Sequence, residues 1–427
     1  MNHSQRLIRG CRVVSPQGME DADILIQGEW IVAVAPGLAA NGVEVVDAAS
    51  LYALPGAVDA HVHLRDPGAT HKEDFTSGTR AALAGGVTTV LDMPNTPVPT
   101  ISAATYAEKL ALARSCACCD FGLFVGATLD NAAAAANIAE AVGLKLYMGS
   151  STGDLLVADL GHQYCHFVGY PAERPIAIHG EDEQAVQLFS EIERRPPICA
   201  ELAVARAIAL SRATERRLHI CHVTTRAELA LIALAKQQGL AVTAEVTPHH
   251  LFLSKADESA LGPLGMMNPP LRQQEDIDAL WQGLTTIDIV ASDHAPHTLE
   301  EKHSLNPPAG VPGVETMLPL LLDAALAGRL SLSQVVQLVA FAPATIFHLL
   351  HKGLIAPGYH ADIVLFDPND TTLVGERLYS KCQWTPFAGR RLRGRIRQVL
   401  LRGRDAFAKD EVLAEPGWGS FIAPSYS

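Results

Sequence analysis

No stretch of the sequence runs to the ~20 consecutive apolar residues that a membrane-spanning helix needs, so no transmembrane segment is expected. The opening residues, MNHSQRLIRGCRVVSPQG, lack the apolar core of a signal peptide, and a cytoplasmic protein is expected. Positive charge is in deficit. Against 46 Asp and Glu there are only 33 Lys and Arg, a net charge of −13, which argues against nucleic acid and against an anionic membrane surface as partners. It does not exclude a small anionic substrate, because local arginines decide that. The eight cysteines are dispersed except for Cys116, Cys118 and Cys119. No second pair stands at a spacing that would complete a zinc site, so they read as ordinary reduced thiols.

What the sequence has is β/α alternation. Hydrophobic residues make up 48% of the 427, enough for a large core. Eight short apolar runs stand at 57–64, 88–94, 121–127, 143–149, 175–181, 217–223, 240–247 and 287–295. Alanine- and leucine-rich helix candidates such as SAATYAEKLALARS and CAELAVARAIALSRAT lie between them. Eight such units predict a closed (β/α)8 TIM-type barrel with its active site at the C-terminal strand ends. The two chain ends instead read as short strands with Gly and Pro turns. Neither has enough strands for a core of its own. The expected organisation is an α/β protein: a barrel over 53–350, and a small β-sandwich domain built from 1–52 and 351–427.

The strand ends carry the chemistry. In VDAHVHLRDPG, residues His61, His63 and Arg65 share one face of an extended chain. Two imidazoles side by side suggest a metal, and the guanidinium beside them suggests an anionic substrate. The second strand ends near Asn95, the fifth at His179, the sixth at His222 and the eighth at Asp293. A lone histidine at a strand end is most often structural, but groups that suit a metal recur on one rim. By alternation, His222 shares a face with Leu218 and Ile220, which puts His219 on the helix-facing side in a structural role. His249 and His250, just past the seventh strand, are read as structural or supporting.

Lys145 stands inside the fourth strand. A charged lysine within a barrel is costly unless it is paired. One reading is a salt bridge to a carboxylate. The other is a neutral amine, favoured by burial beside metal cations, that adds carbon dioxide to give a carbamate able to bridge two metals. The residues alone leave both open.

These motifs resemble the dihydroorotases of the amidohydrolase superfamily nearly end to end. DAHVHLRDPG, GGVTTVLDMPNTPVP, IAIHGEDE, HICHVTTRAELALI, EVTPHHLFL, MNPPLR and ASDHAPHT occur in the family's order. The resemblance implies two Zn2+ per subunit, one on His61, His63 and Asp293 and the other on His179 and His222. Carboxylated Lys145 (N6-carboxylysine) would bridge them, although some branches use an aspartate near here, for which Asp154 is the candidate. Arg65, Asn95 and His297 would hold a substrate carboxylate and Asn268 would contact the ring; the role of Arg272 is open. The implied reaction is the reversible cyclisation of N-carbamoyl-L-aspartate to (S)-dihydroorotate and water, in pyrimidine synthesis. A zinc-activated hydroxide would attack and Asp293 would serve as general acid/base. Alternatives on the same site are an allantoinase or a dihydropyrimidinase (hydantoinase). An alternative of another class is a non-catalytic scaffold, which the full set of ligand side chains disfavours. A homodimer is expected. The Pro- and Gly-rich segment 299–313 reads as a loop closing over substrate.

Overall fold

The computed structural model describes residues 5–40 and 42–426. Strands β1 (Gln5–Ser15), β2 (Gly18–Gln27), β3 (Trp30–Ala35), β4 (Glu44–Asp47) and β5 (Tyr52–Pro55) precede the barrel. The barrel strands are β6 (Ala57–Val62), β7 (Val87–Asp92), β8 (Asp120–Leu123), β9 (Val125–Gly126), β10 (Leu144–Tyr147), β11 (Ile176–His179), β12 (Leu218–Ile220), β13 (Val242–Val246) and β14 (Ile289–Val290). After them come β15 (Ile363–Leu373), β16 (Arg391–Leu401), β17 (Arg404–Ala408) and β18 (Glu411–Val412).

All neighbouring barrel strands pair in parallel. Nearly every residue in them is buried, as expected for strands covered on both faces, and this is why they read as unbroken apolar runs. β8 and β9 occupy one strand position, interrupted at Phe124, whose N–H bonds Asp92 O instead (3.0 Å). A parallel bridge between Val62 and His294 joins the last position to the first, and His63 N–H donates to His294 O (2.8 Å). The result is the eight-position barrel that the sequence predicts. Its lower interior is plugged by Val58, Ala60, Leu91, Met93, Phe124, Ala177, Cys221 and Ile289, with Phe347 beneath. The histidines that suit a metal lie above this plug, toward the upper rim.

The chain ends form one nine-stranded sheet, ordered β18-β17-β16-β15-β5-β1-β2-β3 with β4 also on β1. A bulge in β1 between Ile8 and Cys11 lets its first half pair with β4 and its second half with β5. Gly10, at φ 71°, makes that bulge. The sheet closes on its own core of Ile8, Ile24, Ile26, Ile363, Leu365 and Leu400. β5 runs through Gly56 directly into β6. A Cβ there would collide with Thr88, so only glycine lets the two bodies meet this closely.

A buried ionic joint locks the sheet to the barrel floor. Lys352 Nζ lies 2.5 Å from both Asp120 and Asp362, and Arg402 holds the other Asp120 oxygen. His360 stands near these carboxylates, but the two cations already neutralise them, and the position at the N-terminal strand ends reads as stability rather than chemistry. No helix among the described residues is long and apolar enough to cross a membrane.

Candidate metal centre

Five side chains converge at the upper rim. Asp293 Oδ1 lies 3.0 Å from His63 Nε2 and 3.3 Å from His61 Nε2. His179 Nδ1 lies 3.0 Å from His222 Nε2. Between the two groups stands Lys145, its Nζ 3.5 Å from His61 Nε2 and 2.9 Å from Cys221 Sγ.

The outer hydrogen bonds fix which ring nitrogens face inward. His61 Nδ1–H donates to Glu245 Oε1 (2.5 Å), His63 Nδ1–H to Asn95 Oδ1 (2.7 Å) and His179 Nε2–H to Glu181 Oε2 (3.1 Å). With those protons turned outward, His61 and His63 present Nε2 lone pairs, and His179 presents Nδ1, to the centre. Lone pairs and a carboxylate converging without protons between them repel, unless a cation joins them. Nitrogen and oxygen donors in this number fit a zinc-like divalent ion.

The electrostatics make the same demand. Burial pushes His63 down to about 3, with Asp293 opposing it only in part. Burial also holds His179 and His222 below the ordinary histidine range. Burial and Lys145 act in the same direction on His61, yet Glu245 and Asp293 outweigh them and lift it to about 10. Asp293 stays well below the carboxylate range: burial resists its ionisation, and His61 and His63 overcome that resistance. The cluster therefore calls for positive charge between His61, His63 and Asp293.

Three rim residues have left-handed backbones: Arg65 at φ 62°, His222 at φ 37° and Asp293 at φ 45°. Such strain in non-glycine residues gathers where side chains must be aimed. At His222 it corrects the sequence reading. His219 does not face the helices. Its Nε2 bonds Glu245 Oε2 (3.1 Å) and Cys221 reaches Lys145, so both point into the barrel. Leu218 and Ile220 pack outward with the helix core. His222 lies beyond the end of β12, and its left-handed backbone turns it back to the rim against the strict alternation.

Lys145 is fully buried, and among the described residues no carboxylate pairs with it, so the salt-bridge reading fails. Asp154 lies exposed in the loop after β10 and belongs to none of the metal-type clusters among the described residues. Arg65 is buried too. Its guanidinium meets only Pro296 O (3.1 Å) and His297 Nε2 (3.3 Å), with no carboxylate partner among the described residues. A pocket over the metal cluster is lined by Arg65, Asn95, Asn268, Asp293, His63 and His249. His297 stands behind Arg65, with Lys72 Nζ 3.2 Å from its Nδ1. The Asn95 amide donates to Thr152 O (2.8 Å), and Asn268 Oδ1 accepts from Arg194 (2.6 Å). A roomier groove between Glu315, Phe366 and Tyr379 also carries Arg377, Arg395 and Asp410, but among the described residues it holds no cluster of metal-type side chains. Segment 299–313 begins with a helical turn, Leu299–Lys302, and the rest is pinned by Lys302 Nζ on the carbonyls of Met266, Pro308 and Gly310 (2.9–3.0 Å). Arg272 donates to Thr224 Oγ1 (3.2 Å) and Arg195 O (2.7 Å), bracing the rim.

Sequence reasoning missed Glu245, Glu181 and Cys221. Glu245 had a signal, a carboxylate in the middle of an apolar strand. Glu181 is positioned by Arg195, which comes from a distant turn, and nothing local foretells that pairing.

The description "Amidohydrolase family" matches residues 52–164 and again 315–405. The chain is 42% identical over 375 residues to Multifunctional protein CAD of Squalus acanthias, covering 87% of this chain but only 16% of that one. It is 42% identical to a dihydroorotase of Halobacterium salinarum, covering 86% and 89% of the two chains. A dihydroorotase of Methanosarcina acetivorans is 35% identical, with 98% and 95% covered. Among solved structures, an L-hydantoinase (dihydropyrimidinase) of Arthrobacter aurescens superposes with a TM-score of 0.94 at 29% identity, over 99% and 100% of the chains. With stand-alone relatives of this identity matched over most of their length, the chain belongs to the dihydroorotase family of the amidohydrolases.

Proposed function

We propose that this chain is a dihydroorotase that interconverts N-carbamoyl-L-aspartate and (S)-dihydroorotate. His61, His63 and Asp293 would hold one divalent ion, His179 and His222 a second, with Lys145 between them. Zinc suits these donors, and two such ions supply Lewis acidity and acidified water. For Lys145 to bridge, its amine forms an N–C bond to carbon dioxide and releases a proton, leaving a carbamate with two oxygens.

The residues divide the remaining work. Arg65, backed by His297 and flanked by Asn95, takes the substrate carboxylate on its planar fork. Asn268 meets the ring. Asp293, ionised and beside the metal donors, moves the proton. In ring opening it delivers a proton to the ring nitrogen as the C–N bond breaks. In ring closure it removes a proton from the ureido nitrogen as that bond forms and water leaves. The reading extends to a cytoplasmic homodimer with the barrel bounded at 53 and 350.

The observation that carries the substrate assignment is the buried Arg65 without a carboxylate partner, beside the metal donors. Dihydrouracil, hydantoin and allantoin have no carboxylate to offer it. A buried guanidinium left without an anion is costly, so the pocket is built for one. The second reading, a hydantoinase, rests on the likeness to solved hydantoinases. Dihydroorotate, allantoin and dihydrouracil should be assayed side by side on the wild type and on Arg65→Met. The wild type is expected to prefer dihydroorotate, and Arg65→Met to raise its KM about 100-fold, the scale of a lost charge-assisted contact. Preference for dihydrouracil, or indifference to Arg65→Met, refutes the assignment.

A further inference from the structure

His249 has no task in the chemistry above. It sits in the short helix Pro248–Phe252 that follows β13, whose start is capped by the Thr247 hydroxyl on His250 N–H (3.3 Å). Its neighbour His250 is fully engaged, with Nδ1 at Thr247 Oγ1 (2.7 Å) and Nε2 at Pro269 O (3.1 Å). His249 is the opposite case. It is only 2% exposed, and its Nε2 has no hydrogen-bond partner. An orphaned polar atom in a buried side chain costs free energy, unless a ligand completes it.

The ring lines the same pocket as Arg65, Asn95, Asn268 and Asp293. It lies against the tilted ring of His250, with centroids 4.4 Å apart and the planes at 59°, which limits its movement. Resting on the dihydroorotase reading, we infer that His249 is a substrate-binding residue that hydrogen-bonds the ureide edge of the ring, the part of the cyclic ureide that is not cleaved.

Elimination within the pocket leads there. The carboxylate end has Arg65, and the scissile amide has Asp293 and the metal donors. The remaining polar edge of a cyclic ureide presents alternating N–H and C=O groups, and of the pocket's polar side chains Ser151, Thr152, Asn268 and His249 are left to meet it. Of these four, His249 is the one that is buried with an unpartnered atom. A neutral imidazole carries one donor and one acceptor, and can pair with such an edge whichever group faces it. Burial holds His249 in that neutral form, with its pKa lowered to about 4. It is therefore suited to a neutral amide and unsuited to an anion.

The test uses the metal-loaded full chain. For His249→Ala, KM for dihydroorotate is expected to rise about tenfold, with kcat within threefold of wild type and metal content unchanged. His249→Gln, whose amide reaches close to the Nε2 position, is expected to recover most of the loss. Unchanged KM in a fully metallated His249→Ala overturns the inference. So does a joint fall in kcat and bound metal, which assigns His249 to supporting the metal cluster. If His249→Ala does not fold, His249→Phe, which keeps a ring but offers no hydrogen bond, takes its place: KM about tenfold above wild type with normal metal upholds the inference, and an unchanged KM, or a kcat loss with depleted metal, ends it. A wild type inactive on dihydroorotate overturns the functional reading and this inference together, whereas an active wild type with an indifferent His249→Ala overturns this inference alone.

Discussion

Asp293→Asn is expected to lower kcat by about 10^4-fold, the upper range of general acid/base catalysis, while thermal unfolding stays within a few degrees of wild type. On the proposed reading the carboxylate serves twice, as a metal donor beside His61 and His63 and as the proton carrier; an amide cannot carry that proton and is a weaker, uncharged metal donor. Three features keep the fold intact. Asparagine has the same shape. It tolerates the left-handed backbone that residue 293 adopts at φ 45° at least as well as aspartate does. The backbone contacts that hold the rim come from its neighbours: Ser292 N–H on Asp59 Oδ1 (3.0 Å) and His294 O on His63 N–H (2.8 Å). Steady-state kinetics and calorimetry check this together. Wild-type rates contradict the assignment, and loss of folding contradicts the separation of function from stability.

Lys145→Ala is the second large effect. Turnover should fall by more than the about 100-fold that losing an outer partner of a metal site costs, and bound metal should fall below that of wild type. The truncated side chain leaves a buried gap between His61, Cys221 and Tyr147. A short carboxylic acid fits that gap and supplies the two oxygens a carbamate would have offered. Acetate or propionate at millimolar concentration is expected to restore part of the activity. Lys145→Arg should be equally inactive and should not respond, because its permanently charged guanidinium fills the space and cannot form a carbamate. Full activity in Lys145→Ala, without any added acid, contradicts the bridging role.

Much of this architecture is legible in the sequence because a parallel barrel buries both faces of every strand. The eight runs stand out as apolar blocks, and metal-type residues at their ends mark one rim. The register within a strand end is harder. Alternation assigns His219 outward only if the backbone stays extended through His222, and the left-handed turn there breaks that condition. His61 and His63 are found by pattern because they are close in sequence. Glu245 leaves a mark in the sequence, a carboxylate inside an apolar strand, but that it and Glu181 turn the protons of His61 and His179 outward is seen only once β13 and the rim turns are folded against them. Arg65 is legible as a cation beside histidines, but its lack of a carboxylate partner depends on every neighbouring element at once.

The central claim is that divalent metal, gathered by these side chains, sits at the upper mouth of the barrel. Anomalous X-ray diffraction at the zinc edge, on crystals of protein purified without chelator and supplied with zinc, tests it most directly. Two anomalous peaks are expected, one among His61, His63 and Asp293 and one between His179 and His222, with density for a carboxylated Lys145 between them. A map without anomalous signal at the rim, from fully folded and zinc-supplied protein, would contradict the account.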